Sequence, residues 1–298
     1  MPKPLIRKLG TVECDLVEAT PLVFRDRLYR FEYVRDQRYQ PNTTGASYMR
    51  LVDHETGECT PGFGVGYHLG SAYSAGDRVW AYAVNIWDGD EIRVWWSDDL
   101  EHWDTQTALH LPGWGMFNTS VCRGRDGYVM ALEVGRATVE VGAPFTLFFA
   151  RSDDLKTWEL LPTKDHVFTR DRYSACPSIR YLSDDQYYMV YLETLPGPVY
   201  QTHIVRSPDL VYWESSPLNP VLEFSREDKL IANPRLTEAQ RAHIAGAENR
   251  NNSDMDLCEF QGQTIITYAW GNQQGTEFLA EAVYDGPLEG FLRGFFPD

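Results

Sequence analysis

A seven-residue pattern, Ser-x-Asp-Leu-x-x-Trp, occurs three times at one constant interval. The copies run from Ser97 to Trp103, from Ser152 to Trp158 and from Ser207 to Trp213, with 55 residues between successive serines. Each copy follows a strand-like run, at Ile92–Trp96, Thr146–Ala150 and Thr202–Arg206. Ser and Asp side chains close turns by hydrogen bonding to the backbone, which lets the Leu and Trp pack back on a sheet. The interval predicts structural repeats of about 50 residues.

Five predicted hairpins divide the chain into units of this size. Their strands are Thr20–Phe24 with Leu28–Tyr33, Ser71–Ser74 with Arg78–Val84, Ser120–Arg123 with Tyr128–Val134, Ser178–Leu182 with Gln186–Leu192, and Asp256–Phe260 with Thr264–Trp270. The turns between them are rich in Asp and Gly, which suits hairpins. Third strands are predicted at Tyr48–Val52 and Phe278–Tyr284.

This pattern predicts an all-β protein, a five-bladed β-propeller in which residues 1–298 form one domain. A β-sandwich or two separate β-domains are the alternatives. One short helix is predicted at Thr237–Ala247, between the fourth and fifth units. The C-terminal GFLRGFFPD is expected either to close the ring across the first blade or to form a dimer contact.

The charge balance excludes some partners. The chain has 27 Lys and Arg against 43 Asp and Glu, a formal net charge of −16. Nucleic-acid binding needs a surplus of basic residues, and an anionic membrane surface would repel this chain. No apolar run is long enough to span a bilayer, and no apolar signal-peptide core follows the N-terminus. We therefore expect a cytoplasmic protein, with removal of an export signal left open and the oligomeric state unspecified.

Motifs for several other chemistries are missing from the sequence. There is no G-x-S-x-G, phosphate-binding loop, dinucleotide-binding fingerprint or H-E-x-x-H. The five cysteines lack zinc-site spacing. No metal or other cofactor is predicted, although a structural cation on the propeller axis is left open.

Five-bladed propellers with Ser-x-Asp-Leu-x-x-Trp at their blade ends resemble the furanosidase-type glycoside hydrolases of families 43, 32, 62, 68 and 130. The resemblance implies an axial pocket with carboxylates from the starts of the innermost strands. Where these families usually carry acids, this chain has Thr20-Pro21, Asn118 and Ala175-Cys176-Pro177. The resemblance therefore implies either an enzyme with relocated catalytic groups or a non-catalytic sugar-binding relative.

Two carboxylates fall at equivalent positions when the hairpins are aligned on their turns. Glu18 then matches Asp254, and the first and fifth blades become neighbours when the ring closes. Glycoside hydrolysis needs one protonated and one ionised carboxyl group, and mutual repulsion separates their pKa values. Glu18 and Asp254 are the predicted catalytic pair, with binding of a cation or a loop backbone as the alternative.

Glu193 is the third catalytic candidate, because it ends an apolar strand at the same face. Its alternative is a salt bridge to Arg172 or Arg206. The predicted substrate-binding residues are polar groups that suit sugar hydroxyls and aromatic rings that suit sugar faces. They are Asn118, His68, Arg172, Tyr173, Asp256, Trp270, Trp114, Gln273 and Glu133.

The sequence thus predicts a glycosidase that acts on the terminal sugar of an oligosaccharide or glycoside. A non-catalytic carbohydrate-binding propeller is the first alternative. A glycoside phosphorylase is the second, and it would need more basic groups at the mouth than Arg172 and His68 supply.

Overall fold

Five antiparallel sheets follow one another along the computed structural model, which describes residues 2–35, 46–136, 138–142, 145–196 and 199–297. Strand β1 (Arg7–Cys14) belongs to the fifth sheet. The first sheet contains β2 (Ala19–Phe24), β3 (Arg27–Val34) and β4 (Tyr48–Asp53). The second contains β5 (His68–Ala75), β6 (Arg78–Val84), β7 (Glu91–Ser97) and β8 (Asp104–His110).

The remaining sheets repeat the same order. The third contains β9 (Met116–Gly124), β10 (Gly127–Val134), β11 (Thr146–Ser152) and β12 (Glu159–Leu160). The fourth contains β13 (Ser174–Tyr181), β14 (Tyr187–Leu195), β15 (Val199–Ser207) and β16 (Glu214–Ser215). The fifth contains β17 (Asn251–Phe260), β18 (Gln263–Gly271) and β19 (Glu277–Tyr284), and it is completed by β1.

The first strand of each sheet lies at the centre of the molecule. Strands β2, β5, β9, β13 and β17 contact one another in that order, and β17 contacts β2 again. The predicted five-bladed propeller is therefore confirmed.

Helices are few and short in the described residues. They are α1 (Thr138–Val141), α2 (Glu238–Gly246), α3 (Leu288–Arg293) and a single 3-10 turn at Arg226–Lys229. The predicted helix is α2, which begins after the N-cap residue Thr237, whose side chain exchanges hydrogen bonds with Gln240. None of these helices is long and apolar enough to cross a membrane.

The N-terminal strand closes the ring. Strand β1 pairs antiparallel with β19, so the fifth blade takes its outermost strand from the opposite end of the chain. The sequence did not predict β1, because register shifts at Lys8/Gly10 and Thr11/Glu13 break the alternation that marks a strand.

The C-terminal segment packs against the fourth and fifth blades. Phe291 and Phe295 are fully buried in a cluster with Tyr188 of the fourth blade and Trp270 of the fifth. Their rings fill the joint between those two blades. The expectation that this segment closes the ring across the first blade is therefore wrong, while a dimer contact stays a prediction.

The repeated motif forms the same turn in all three copies. The Ser hydroxyl accepts hydrogen bonds from the backbone N–H groups two and three positions later. The Asp carboxylate accepts from the next two N–H groups in the same way. The predicted side-chain closure of the turn is confirmed. The Leu of each copy has a positive φ of 64–67° and a buried side chain.

The Trp of each copy joins its own blade to the preceding one. Trp103 stacks on Phe63, which bridges to Met49 of the first blade, with ring centroids 3.8 Å apart. Trp158 meets Tyr82 of the second blade edge-on at 5.8 Å, and Trp213 stacks on Phe149 of the third at 5.4 Å. Such aromatic pairs add to the stabilisation that burial itself provides.

Gly10 lies where the ring-closing strand β1 passes close to the backbone of Leu230. It has a φ of +110°, and a Cβ there would lie 2.3 Å from the carbonyl oxygen of Leu230. Gly113 has a similar φ of +82° with no atom within 4 Å. We expect Gly113→Ala to lower the free energy of unfolding by about 1–2 kcal/mol through backbone strain. Gly10→Ala should cost about 1–3 kcal/mol more, because the backbone must move. Urea denaturation measures both, and equal losses would contradict the close approach.

Candidate active site

Three of the five inner strands carry a bulge at the same level. Leu69, Cys176 and Asp254 have φ values of 54°, 48° and 50°, and the pairing register shifts next to each of them. A left-handed conformation is rare for residues other than glycine. Bulges re-aim side chains and often border functional sites. They also explain why these three inner strands, β5, β13 and β17, begin three to five residues before their predicted starts, since each bulge interrupts the two-residue alternation.

A narrow axial cavity begins at this level. It has a volume of about 30 Å³ and is lined by residues of all five inner strands or their starts: Glu18, Ala19, Thr20, Gly70, Ser71, Asn118, Thr119, Cys176, Pro177, Asp254, Met255 and Asp256. This volume is close to the share of one water molecule in the liquid. A sugar ring therefore does not fit inside this cavity.

Glu18 lies immediately before β2 and is 8% exposed. Arg35, just beyond β3, donates from Nη2 to both carboxylate oxygens, at 2.5 and 2.7 Å. The guanidinium also lies over the rings of Tyr33 and Trp87. Burial raises the pKa of Glu18, while the charge of Arg35 opposes that shift.

Asp254 lines the same cavity as Glu18. Burial raises its pKa, and hydrogen bonds with Ser253 and Cys176 oppose the increase. The negative charge of Asp254 in turn raises the pKa of Glu18. The two carboxyl groups are therefore close enough for the ionisation of one to disfavour the ionisation of the other.

Glu133, near the end of β10, is a third buried acid of this cluster. One carboxylate oxygen accepts hydrogen bonds from the backbone N–H of Cys176 at 2.8 Å and from Nδ2 of Asn118 at 3.0 Å. Burial raises its pKa to about 7, with smaller contributions from the charges of Asp254 and Glu18. The sequence places Glu133 among the substrate-binding residues, whereas its pKa suits acid–base chemistry near neutral pH.

Glu277, the first residue of β19, completes the cluster and was not among the sequence candidates. It is 1% exposed, and its Oε1 accepts a hydrogen bond of 2.5 Å from the backbone N–H of Gln273. Burial raises its pKa to about 8, and the charges of Asp254 and Glu18 add to the increase. Its Oε2 has no hydrogen-bond partner among the described residues. Because the predicted strand starts at Phe278, the sequence left Glu277 in a polar loop.

Arg35 is the second residue that sequence reasoning missed. Its position directly after the apolar run of β3 resembles that of Glu193, the candidate that ends an apolar strand. That strand-end position was the available signal for Arg35.

Several predicted substrate-binding residues lie around the acid cluster. The buried His68 forms a hydrogen bond of 2.8 Å between its Nδ1 and the hydroxyl of Tyr33. Burial, with the charge of Arg35, lowers its pKa and favours the neutral ring. Burial raises the pKa of Tyr173, and electrostatic interactions with Cys176, Glu133 and Asp254 raise it further. Gln273 donates from Nε2 to the hydroxyl of Ser253 at 3.0 Å.

Glu193 lies in a different cluster. Its carboxylate is 3.3 Å from Nε of Arg172 and 3.4 Å from Nδ1 of His203, and it accepts a hydrogen bond of 2.5 Å from the hydroxyl of Tyr191. The salt bridge to Arg172 is thus present. Arg206, the other partner considered, pairs with Glu214 instead.

Three further predicted residues are engaged in contacts outside the cluster of acids. Asp256 lines the axial cavity but binds Ser178 and Arg180, each at 2.7 Å. Trp114 is half-buried against Phe148. The predicted position of Trp270 is corrected: its fully buried ring stacks on Phe278 at 4.4 Å in the core, so neither ring face is open to a ligand.

Among the described residues, no group of three or more His, Cys, Asp or Glu side chains is arranged to hold a metal ion. What the site offers is several buried carboxyl groups with raised pKa values beside one guanidinium. Proton transfer and stabilisation of a developing positive charge are the chemistry that such a set can perform.

No protein-family model and no curated protein sequence matches the chain. Solved structures with the same fold match nearly the whole length of this chain. One is described as a glycoside hydrolase, with a TM-score of 0.64 and 13% identity over 96% of this chain and 92% of that one.

Two other similar structures are named for their activity on arabinose-containing substrates. An α-L-arabinofuranosidase from Podospora anserina, in complex with cellotriose, has a TM-score of 0.60 and 8% identity over 95% of both chains. An α-L-arabinanase from Penicillium chrysogenum, complexed with arabinobiose, has a TM-score of 0.55 and 11% identity over 95% of this chain and 99% of that one. At such identities the likeness establishes the five-bladed fold alone.

The raised pKa of Glu133 predicts a pH-dependent stability. In the unfolded chain its pKa returns to the ordinary value of 4.5, against about 7 in the folded protein. The proton that the folded state holds therefore stabilises it below about pH 4.5, and this contribution is lost as the pH rises through 7. The difference in the free energy of unfolding between Glu133→Gln and the parent protein should therefore shift by about 3 kcal/mol in favour of the variant when the pH rises from about 4.5 to about 8. Urea unfolding at both pH values measures this change, and a constant difference would contradict the shift.

Proposed function

We propose that this protein is a glycoside hydrolase that removes the terminal sugar from an oligosaccharide or glycoside. The observation that carries the proposal is the set of four buried acids at the mouth of the ring, all with raised pKa values, beside Arg35. They are Glu18, Glu133, Asp254 and Glu277. Burying this many carboxyl groups together is unfavourable for folding, which supports a role in chemistry.

Glu133 is the proposed general acid. A pKa of about 7 keeps a large fraction of this carboxyl group protonated at neutral pH. Hydrolysis of a glycosidic bond needs such a proton for the leaving oxygen. The hydrogen bonds from Asn118 and Cys176 hold one oxygen of Glu133, which orients the group for transfer.

Glu18 is the proposed ionised partner. Arg35 donates directly to both of its oxygens, whereas its effect on Asp254 acts through space. These hydrogen bonds favour the ionised form of Glu18, and we propose that Glu18 carries the charge of the coupled pair. An ionised carboxylate activates water or attacks the anomeric carbon, and Asp254 adjusts the affinity of Glu18 for a proton.

Removal of a terminal sugar would take place at the mouth of the ring, because the axial cavity of about 30 Å³ that Glu18 and Asp254 line is too small to hold a sugar ring. His68 and Tyr173 offer a neutral ring nitrogen and a phenol for sugar hydroxyls. Because similar structures include an α-L-arabinofuranosidase and an α-L-arabinanase, α-L-arabinofuranosides are the first substrates to test.

Hydrolysis of a panel of nitrophenyl glycosides tests the proposal. The panel spans pentofuranosides, hexopyranosides and deoxy-sugars. We expect turnover of at least one member, and losses of at least about 10²-fold in kcat for Asp254→Asn and Glu18→Gln. Glu214→Gln is the matched control, since Glu214 forms an exposed ion pair with Arg206 and should leave kcat unchanged. No turnover with or without phosphate, but binding of a sugar, would favour a carbohydrate-binding propeller. Turnover only with phosphate would indicate a phosphorylase.

The role of Glu133 has its own test. Glu133→Gln should lose at least about 10²-fold in kcat on a glycoside with a poor leaving group. It should lose much less on a dinitrophenyl glycoside, whose leaving group departs without a proton. The fall in parental activity above about pH 7 should also vanish in this variant. Equal losses on both substrates would assign the general acid elsewhere, with Glu277 and Glu193 as the next carboxyl groups to replace.

A further inference from the structure

A second cavity, of about 290 Å³, lies where the first and fifth blades meet. Its walls come from five segments: β1, the paired strands β3 and β4, the turn after β4, the segment 232–240 that leads into α2, and β19. It shares no lining residue with the axial cavity. Its volume is at the lower end of the range for small-molecule sites, and it suits a ligand of about the size of a monosaccharide.

Buried charged groups form the floor of this cavity. Arg30 donates to Glu32 at 2.7 and 2.9 Å and to Glu281 at 3.1 Å. Arg50 donates to the other oxygen of Glu32 at 2.7 Å, and His54 lies 3.1 Å from the other oxygen of Glu281. Arg30, Glu32 and Glu281 are at most 9% exposed. The network fixes its members in place, so that the cavity keeps its shape without a ligand.

Polar side chains of the surrounding wall also line this cavity. Gln240, the N3 residue of α2, donates from Nε2 to Oε1 of Glu13 at 3.1 Å. Burial raises the pKa of Glu13 and so favours its neutral, hydrogen-donating form. Arg235 donates from Nη2 to the carbonyl oxygen of Thr56 at 2.6 Å, and its side chain crosses Gly57. Only one nitrogen of Arg235 and one oxygen of Glu13 are used in these bonds.

The charges of the lining nearly cancel. Three arginines, Arg30, Arg50 and Arg235, face the carboxyl groups of Glu13, Glu32, Asp53 and Glu281. A surplus of arginine would select an anion, and a surplus of carboxylate would select a cation. A balanced set of donors and acceptors instead matches hydroxyl groups, each of which both donates and accepts a hydrogen bond.

We propose that this cavity binds a small, neutral, polyhydroxylated molecule of monosaccharide size, at a site separate from the acid cluster. The ligand would touch β1 and β19 on one side and β3 and β4 on the other. It would therefore hold the fifth blade against the first, at the seam that places Asp254 beside Glu18. A ligand that binds the folded state alone stabilises it in proportion to the logarithm of its concentration above the dissociation constant. This site does not depend on the proposed hydrolase activity.

Thermal unfolding with a panel of probes tests the site. The probes are neutral pentoses, hexoses and sugar alcohols, with inorganic phosphate and a simple amine as charged alternatives. We expect at least one neutral polyol to raise Tm by about 2–4 °C at millimolar to tens-of-millimolar concentration, with saturation. Absence of any saturable shift with the neutral probes would overturn the proposal. A shift produced by phosphate or the amine alone would overturn it too, because it would identify an ion site.

Two variants locate the bound probe. Arg235→Ala and Gln240→Ala change the outer wall and leave the buried network intact, so both should fold. Each should weaken the affinity for the stabilising polyol at least about fivefold by titration calorimetry. Arg151→Ala, which removes an exposed arginine on the third blade, is the control and should not change the affinity. If Asp254→Asn abolishes polyol binding while Arg235→Ala and Gln240→Ala leave it unchanged, the polyol occupies the acid cluster and the proposal is wrong.

Discussion

The pairing of β1 with β19 is the interaction on which the rest of the molecule depends. It joins the two ends of the chain in one sheet and thereby brings β17 of the fifth blade against β2 of the first. Side chains reinforce the pairing, because Thr11 donates to the carbonyl oxygen of Asp228, Trp270 donates to the hydroxyl of Thr11, and the buried Lys8 lies 2.6 Å from the carboxylate of Asp228. Without this closure Glu18 and Asp254 would be separated, although each would remain within an intact hairpin.

Closure of the ring brings several carboxyl groups together at its mouth, where their negative charges repel one another. Four carboxyl groups lose most of their contact with water there, and the guanidinium of Arg35 donates to both oxygens of one of them, Glu18. The acids respond by retaining protons, as the raised pKa values of Glu133 and Glu277 indicate. Such a cluster is unfavourable for stability above neutral pH. The neighbouring seam offsets this, since Arg30, Glu32 and Glu281 form a fully paired network between the same two blades.

Local patterns predicted the parts of this structure that depend on local chemistry. The hairpins, the helix α2 and the turns that begin at Ser97, Ser152 and Ser207 each follow from residues that are close in sequence. The ring closure was missed because β1 is irregular and its partner lies about 270 residues away in sequence. The inner strands were predicted too short because the left-handed residues Cys176 and Asp254 interrupt their alternation. Trp270 was assigned to the mouth because its position at a strand end does not reveal which side of the sheet its ring faces.

The alternating direction of the strands puts the repeated motif and the acids at opposite ends of the propeller. Inner strands begin at the mouth, and each third strand finishes at the far face, where the motif turn and its Trp secure one blade to the previous one. Changes at the mouth therefore leave the aromatic contacts of the three motif turns untouched. Replacement of an acid at the mouth should therefore leave each motif tryptophan in contact with the preceding blade. The turns that join the blades and the acids at the mouth thus occupy separate ends of the propeller, so that either set can change without the other.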